Sequence, residues 1–115
     1  MPSTDLKLLQ GTLDVLVLKA LEDEPRHGYS VARWVRETTD EALQIEEGAL
    51  YAALHRMEER KWITSRWGLS ENNRRAKFYR LTSAGRRQLE DGSRALSDYA
   101  EAVFKVLRAG EASRA

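Results

Sequence analysis

The side chains with the most chemistry to offer lie between Ile45 and Leu89. Gly48, Tyr51, His55 and Arg56 fall in one run with helical apolar spacing. Asn73, Arg74, Arg75 and Lys77 fall in a polar tip between two alternating runs. Neither group has the spacing of a catalytic set. Together they carry what a polyanion binder needs. Arginine can bond both acceptors of a guanine edge, lysine and arginine neutralise phosphate, and a phenol can donate to phosphate or lie against a sugar. A glycine near a helix start lets phosphate approach amides that carry partial positive charge. For Arg56, base readout and phosphate contact are both open. For Asn73, holding the turn is the stronger reading. Glu46 and Glu47 suit a helix N-terminus electrostatically; accepting a hydrogen bond from cytosine is the lesser reading.

The charge is segregated. From Arg60 to Arg87 nine basic residues stand against Glu71 alone, a local charge of about +8 in a chain of formal net charge +1. The flanks compensate, with about −6 before Arg60 and about −1 after Arg87. A basic block in a near-neutral chain is the electrostatic footprint of a polyanion partner.

Other classes are excluded by what the sequence lacks. There is no cysteine, so disulfides, thiolate nucleophiles and cysteine-rich zinc sites are ruled out, which fits a reducing compartment. His27 and His55 are far apart with no carboxylate cluster beside them, and neither a metal nor a cofactor is expected. No glycine-rich phosphate loop, nucleophile elbow or paired-carboxylate motif is present, so an enzyme is not expected. Lys19 interrupts the longest apolar stretch, Leu13 to Leu21, and no membrane span or signal-peptide layout is seen. The expectation is a soluble cytoplasmic protein.

A chain of 115 residues is expected to form one domain. A first helix is expected over about 12–23, with Leu13, Leu16, Val17, Ala20 and Leu21 in one stripe, stopped by Pro25. His27-Gly28 makes a tight turn, with His27 capping a second helix over 28–39 that turns Val31, Ala32 and Val35 inward. A third helix over 47–61 buries Leu50, Leu54 and Met57. It presents Gly48, Ala52, His55 and Glu59 on the opposite face, with Tyr51 and Arg56 on the flanks. Two strands follow at 62–67 and 76–81, and the turn-rich connection 68–75 is expected to project as a mobile wing. Thr82 is placed to cap a last helix. Along it Leu89, Leu96 and Val103 repeat every seven residues, with Gly85, Gly92, Tyr99 and Val106 on the adjacent seam. Gly92 costs about 1 kcal/mol relative to alanine, tolerable where it gains a close helix approach.

The fold class implied is mainly α with a small β-hairpin (α+β). A winged helix-turn-helix domain spans residues 8–81 and a C-terminal dimerisation helix spans 82–109, with 1–7 and 110–115 flexible. Leu89, Leu96, Tyr99, Val103 and Val106 are the expected dimerisation residues.

Several linked motifs, in order, carry a family resemblance. They are Leu9-Gln-Gly-Thr-Leu-Asp, His27-Gly-Tyr, Gly48-Ala-Leu-Tyr-Ala-Ala-Leu-His-Arg-Met-Glu, Trp62-Ile, Arg75-Ala-Lys-Phe-Tyr-Arg-Leu-Thr and Gly85-Arg. Over Leu8 to Leu89 the chain resembles the PadR family of bacterial transcriptional regulators, in its compact form with one short C-terminal helix. The resemblance implies a homodimeric repressor. The first and last helices would form the dimer, the third helix would read DNA, and the wing would touch phosphate or the minor groove. It places Gly48, Tyr51, His55 and Arg56 on the recognition helix, and Arg74, Arg75 and Lys77 on the wing. Two positions depart from the family pattern: Ala52 stands in place of a common proline, and Lys61 in place of a helix-capping glycine.

The resemblance also raises a small apolar effector seated between subunits. Ordinary packing is the stronger reading for Trp34, Trp62, Trp67, Tyr99 and Phe104, because a short C-terminal helix leaves little room for a pocket. The sequence therefore points to a transcriptional regulator that binds a pseudo-palindromic double-stranded operator as a homodimer. The rivals are a winged-helix module that binds protein, and an effector sensor on the same scaffold that does not itself bind DNA tightly.

Overall fold

The computed structural model describes residues 10–110. Its elements are α1 (Gln10–Ala20), β1 (Arg26–His27), α2 (Gly28–Thr38), α3 (Glu47–Glu59), β2 (Ile63–Leu69), β3 (Arg75–Leu81) and α4 (Ser83–Leu107). The order of helices, hairpin and final helix follows the sequence pattern. Of the segments expected to be flexible, 1–7 and 110–115, all but Gly110 lie outside the described residues; Gly110 stands in the turn after α4.

The helix ends are set by local chemistry. His27 Nδ1 accepts a hydrogen bond from Ser30 N at 3.2 Å and so caps α2. Thr82 Oγ1 accepts from Gly85 N at 3.0 Å and donates to Lys61 O at 2.7 Å, fixing the start of α4 to the end of α3. The α3 C-terminus closes as a Schellman motif. Trp62 N donates to Met57 O, Lys61 N donates to Glu58 O, and Lys61 takes the left-handed position at φ 63°. A lysine thus occupies a conformation that glycine adopts without strain. The α2 C-terminus closes in the same way, with Asp40 at φ 52° and Glu41 at φ 72°.

The sheet is three-stranded and antiparallel, in the order β1-β3-β2. The sequence pattern gives only two strands and a tight turn at His27-Gly28. Arg26 and His27 instead pair with Tyr79 and Phe78 of β3. A two-residue strand has no periodicity to detect; its partner defines it. The hairpin is also longer than its alternation suggests. Pairing runs from Ile63↔Leu81 out to Leu69↔Arg75. The wing turn is therefore confined to residues 70–74, closed by Ser70 N donating to Arg74 O and Asn73 N donating to Ser70 O, both at 2.8 Å. Asn73 sits at φ 62°, the left-handed corner that such a three-residue loop requires.

The core gathers Leu13, Val17, Leu18 and Leu21 of α1 and its end, Val31 of α2, Leu50, Ala53, Leu54 and Met57 of α3, Ile63, Tyr79 and Leu81 of the sheet, and Leu89 of α4. Leu18 is fully buried although it lies off the expected stripe, and Leu16 is only half-buried. The reason is that α1 packs against α2, α3 and α4, so its buried surface is wider than one stripe. Gly92 marks the α1–α4 crossing, where an added Cβ would meet Val15 Cγ2 at 2.8 Å. The close approach is within one chain.

Leu89 requires a correction. At 5 % exposure it packs in the core of its own chain and not on the exposed seam expected to face a partner. Beyond it α4 leaves the core. Leu96 and Val103 are half-buried, while Tyr99 (62 % exposed) and Val106 (74 %) are open, together with Phe104 and Leu107. The 25-residue helix thus carries an apolar stretch that is largely open among the described residues.

Candidate nucleic-acid interface

The presented face of α3 is built as its spacing demands. Leu50, Leu54 and Met57 lie in the core, which turns Gly48, Ala52 and His55 outward. Glu46 is the N-cap but makes no side-chain capping bond, so the first-turn amides keep free donors. Gly48 faces open space, with only Glu46 Oε1, 3.7 Å from an ideal Cβ, nearby. His55 is well exposed, its Nε2 3.5 Å from Glu59 Oε2 one turn later.

Tyr51 leans from α3 across the start of α2. An added Cβ on Gly28 would lie 2.5 Å from its phenol oxygen. Only glycine lets this phenol take that place, a role for Gly28 that the sequence reading did not assign. The phenol lines one wall of an open groove of about 770 Å³ between the wing and the helices. Arg74, Arg75 and Lys77 line the other wall. The side chains drawn from two separate sequence segments therefore share one concavity.

On the wing, Arg74 is exposed and Arg75 stacks its guanidinium over the Trp67 ring at 4.6 Å. Lys77 Nζ is 3.7 Å from Glu58 Oε1, and Ser65 Oγ donates to Glu58 Oε2 at 2.6 Å. Glu58 thereby binds both wing strands to the last turns of α3. Burial, with Glu58 and Tyr51 nearby, pushes the Tyr79 phenol above its ordinary value. Asn73 is exposed at the corner of the turn, where its backbone conformation accounts for it.

Arg56 is placed differently from its neighbours on the helix. Its guanidinium turns inward and ion-pairs with Asp14 of α1, and its Nε is buried with no hydrogen-bond partner among the described residues. Its side chain is 24 % exposed and that of Asp14 14 %. In this arrangement Arg56 braces α3 against α1 and does not face outward with His55. The spacing showed it on the helix flank; its partner, 42 residues earlier in the chain, could not be read from local pattern.

Trp34 and Trp62 are half-buried and pack against the core, as ordinary packing requires. Trp67, Tyr99 and Phe104 are exposed. Alternation past Ile63 and Ser65 signalled Trp67, but its place over the groove depends on the longer hairpin. Among the described residues, no group of three or more His, Cys, Asp or Glu could hold a metal, and no helix is long and apolar enough to cross a membrane.

A family model described as the transcriptional regulator PadR-like family matches residues 17–91. Protein X of Lysinibacillus sphaericus, itself uncharacterised, is 30 % identical over 84 residues, or 73 % of this chain and 77 % of that protein. A solved PadR family transcription regulator from Clostridium difficile is 31 % identical at a TM-score of 0.70, over 83 % of this chain and 97 % of its own. The structure of Bacillus subtilis PadR in complex with operator DNA shares the fold at a TM-score of 0.61 and 23 % identity, over 69 % of this chain and 45 % of that one.

Proposed function

We propose that this chain, which belongs to the PadR-like family of transcriptional regulators and is a DNA-binding regulator of that kind, acts as a homodimeric repressor on a pseudo-palindromic operator. The observation that carries the reading is the shared groove. Tyr51 from the helix and Arg74, Arg75 and Lys77 from the wing converge on it, while Gly48 and His55 are exposed on the same helix.

In this mechanism α3 enters a major groove, with the exposed His55 offered to base edges and the uncapped amides around Gly48 offered to a phosphate. The Tyr51 phenol and the wing cations take the flanking backbone. Arg74 and Arg75 supply most of the phosphate neutralisation, because Lys77 is partly committed to Glu58. Arg56 holds the pitch of α3 through Asp14 and acts on DNA only indirectly.

The dimer forms through the far half of α4, where Leu96, Tyr99, Val103 and Val106 are joined by Phe104 and Leu107. Two α3 helices related by a two-fold axis then reach successive major grooves ~34 Å apart. A small apolar effector held between subunits would release DNA by favouring a different spacing of the two helices.

The test is sedimentation of the purified chain, alone and with operator duplex, beside a promoter reporter. Dimers at micromolar concentration, two chains per duplex and lower reporter output support the reading. A monomer that binds singly contradicts it.

A further inference from the structure

Glu71 is the only acid in the basic block from Arg60 to Arg87, and DNA binding gives an acid there no task. It stands in the wing turn, two residues before the Asn73 corner. Its carboxylate does not point away from the molecule. Arg33 Nη2 donates to Oε2 at 3.2 Å, and His27 Nε2 lies 3.5 Å from Oε1. Arg33 belongs to α2; His27 caps α2 and is also the β1 residue that pairs with Phe78 of β3, so both stand at the base of the wing and not in its tip.

The two partners are themselves held. His27 Nδ1 is occupied as acceptor for Ser30 N, which leaves Nε2 to carry the ring proton and aim it at Glu71. The imidazole meets Phe78 edge-on at 5.2 Å and lies nearly parallel to the Tyr29 ring at 6.4 Å. The Arg33 guanidinium rests over the Tyr29 ring at 5.6 Å. The carboxylate thus meets donors that are already oriented. A hydrogen bond from its own backbone amide, then Arg33 and His27, hold the Glu71 carboxyl below the usual carboxylate range.

We propose that Glu71 is a wing-positioning residue: its carboxylate ties the wing tip to the start of α2, so that Arg74 and Arg75 meet a duplex already aimed. The inference rests on the DNA-binding reading and names what regulates the geometry of its wing. The mobile projection expected from the turn-rich sequence is, on this view, a braced arm. Ordering the wing before binding removes part of the entropy lost on association.

The rival account makes Glu71 a solvated charge that merely opposes DNA. The two predict opposite signs. With the full chain, Glu71→Gln is titrated against a duplex of about 30 bp, selected from random sequence on the wild-type protein and long enough for two half-sites one turn apart. The brace predicts a Kd raised roughly two- to five-fold, the range of an exposed ion pair, with the thermal midpoint lowered by no more than about 5 °C. Binding equal to or tighter than wild type overturns it. The exchange Glu71→Arg with Arg33→Glu restores the pair at wild-type net charge and should return Kd to within about two-fold of wild type; a swap no better than Glu71→Gln overturns the brace as well. Amide exchange at residues 71–74 of the free protein provides a reading without DNA. It should be faster in Glu71→Gln, and equal rates would overturn the proposal. Wild-type protein that selects no duplex would sink the DNA-binding reading, while amide exchange would still decide the brace.

Discussion

Replacing Asp14 by alanine strands the Arg56 guanidinium between α1 and α3. Breaking a fully buried ion pair costs roughly 3–5 kcal/mol, because the remaining charge loses its partner in a poor solvent. Here the two side chains keep 24 % and 14 % of their exposure, so water relieves part of that cost. A loss of about 2 kcal/mol follows, which for a domain of this size lowers the thermal midpoint by roughly 10 °C. Urea denaturation at fixed protein concentration measures it, since the proposed dimer would make apparent stability depend on concentration. Replacing both partners, Asp14→Leu with Arg56→Met, removes the buried charge and should recover most of the loss. If Arg56 were instead a base reader, Arg56→Met would abolish operator binding at unchanged stability, and Asp14→Ala would leave the urea midpoint where it was. That pair of results would refute the bracing role.

Lys61→Gly relieves the left-handed strain at the α3 C-terminus and should raise stability by about 0.5–1 kcal/mol in the same urea assay. Gly28→Ala drives a methyl into the Tyr51 phenol, which is 44 % exposed and can swing aside; the urea midpoint should change little, while displacement of the phenol should weaken DNA binding. Tyr99→Glu with Val106→Glu should convert the proposed dimer to monomer in sedimentation, with the monomer fold kept by circular dichroism. Leu89→Ala should do the reverse, losing about 2–4 kcal/mol of stability without splitting the dimer selectively.

Much of this architecture was legible because local signals and burial agree. The capping positions of His27 and Thr82 follow from side-chain chemistry, and the inward face of α3 follows from the spacing of Leu50, Leu54 and Met57. The departure at Lys61 pointed to a helix end made without glycine, and the structure meets it with a lysine at positive φ. What stayed hidden depends on partners distant in sequence. Arg26 and His27 become a strand only against β3. Arg56 looks like a DNA ligand until Asp14 is placed beside it. Leu89 has the same seven-residue spacing as Leu96, yet only the first is buried in the core while Leu96 is half-buried, a difference that spacing alone does not carry. Glu71 stood out as the lone acid in the basic block, but its partners His27 and Arg33 are brought to it only by the folded wing.

Salt dependence of duplex binding tests most directly whether α3 and the wing grip DNA together. Wild-type protein and the Arg74→Ala, Arg75→Ala double variant are titrated against the same selected duplex across a salt series. Each lost phosphate contact lowers the log–log slope by about 0.9, so the double variant should bind more weakly and show a slope smaller by about 1.8. Equal affinity and equal slope for the two proteins would contradict the account.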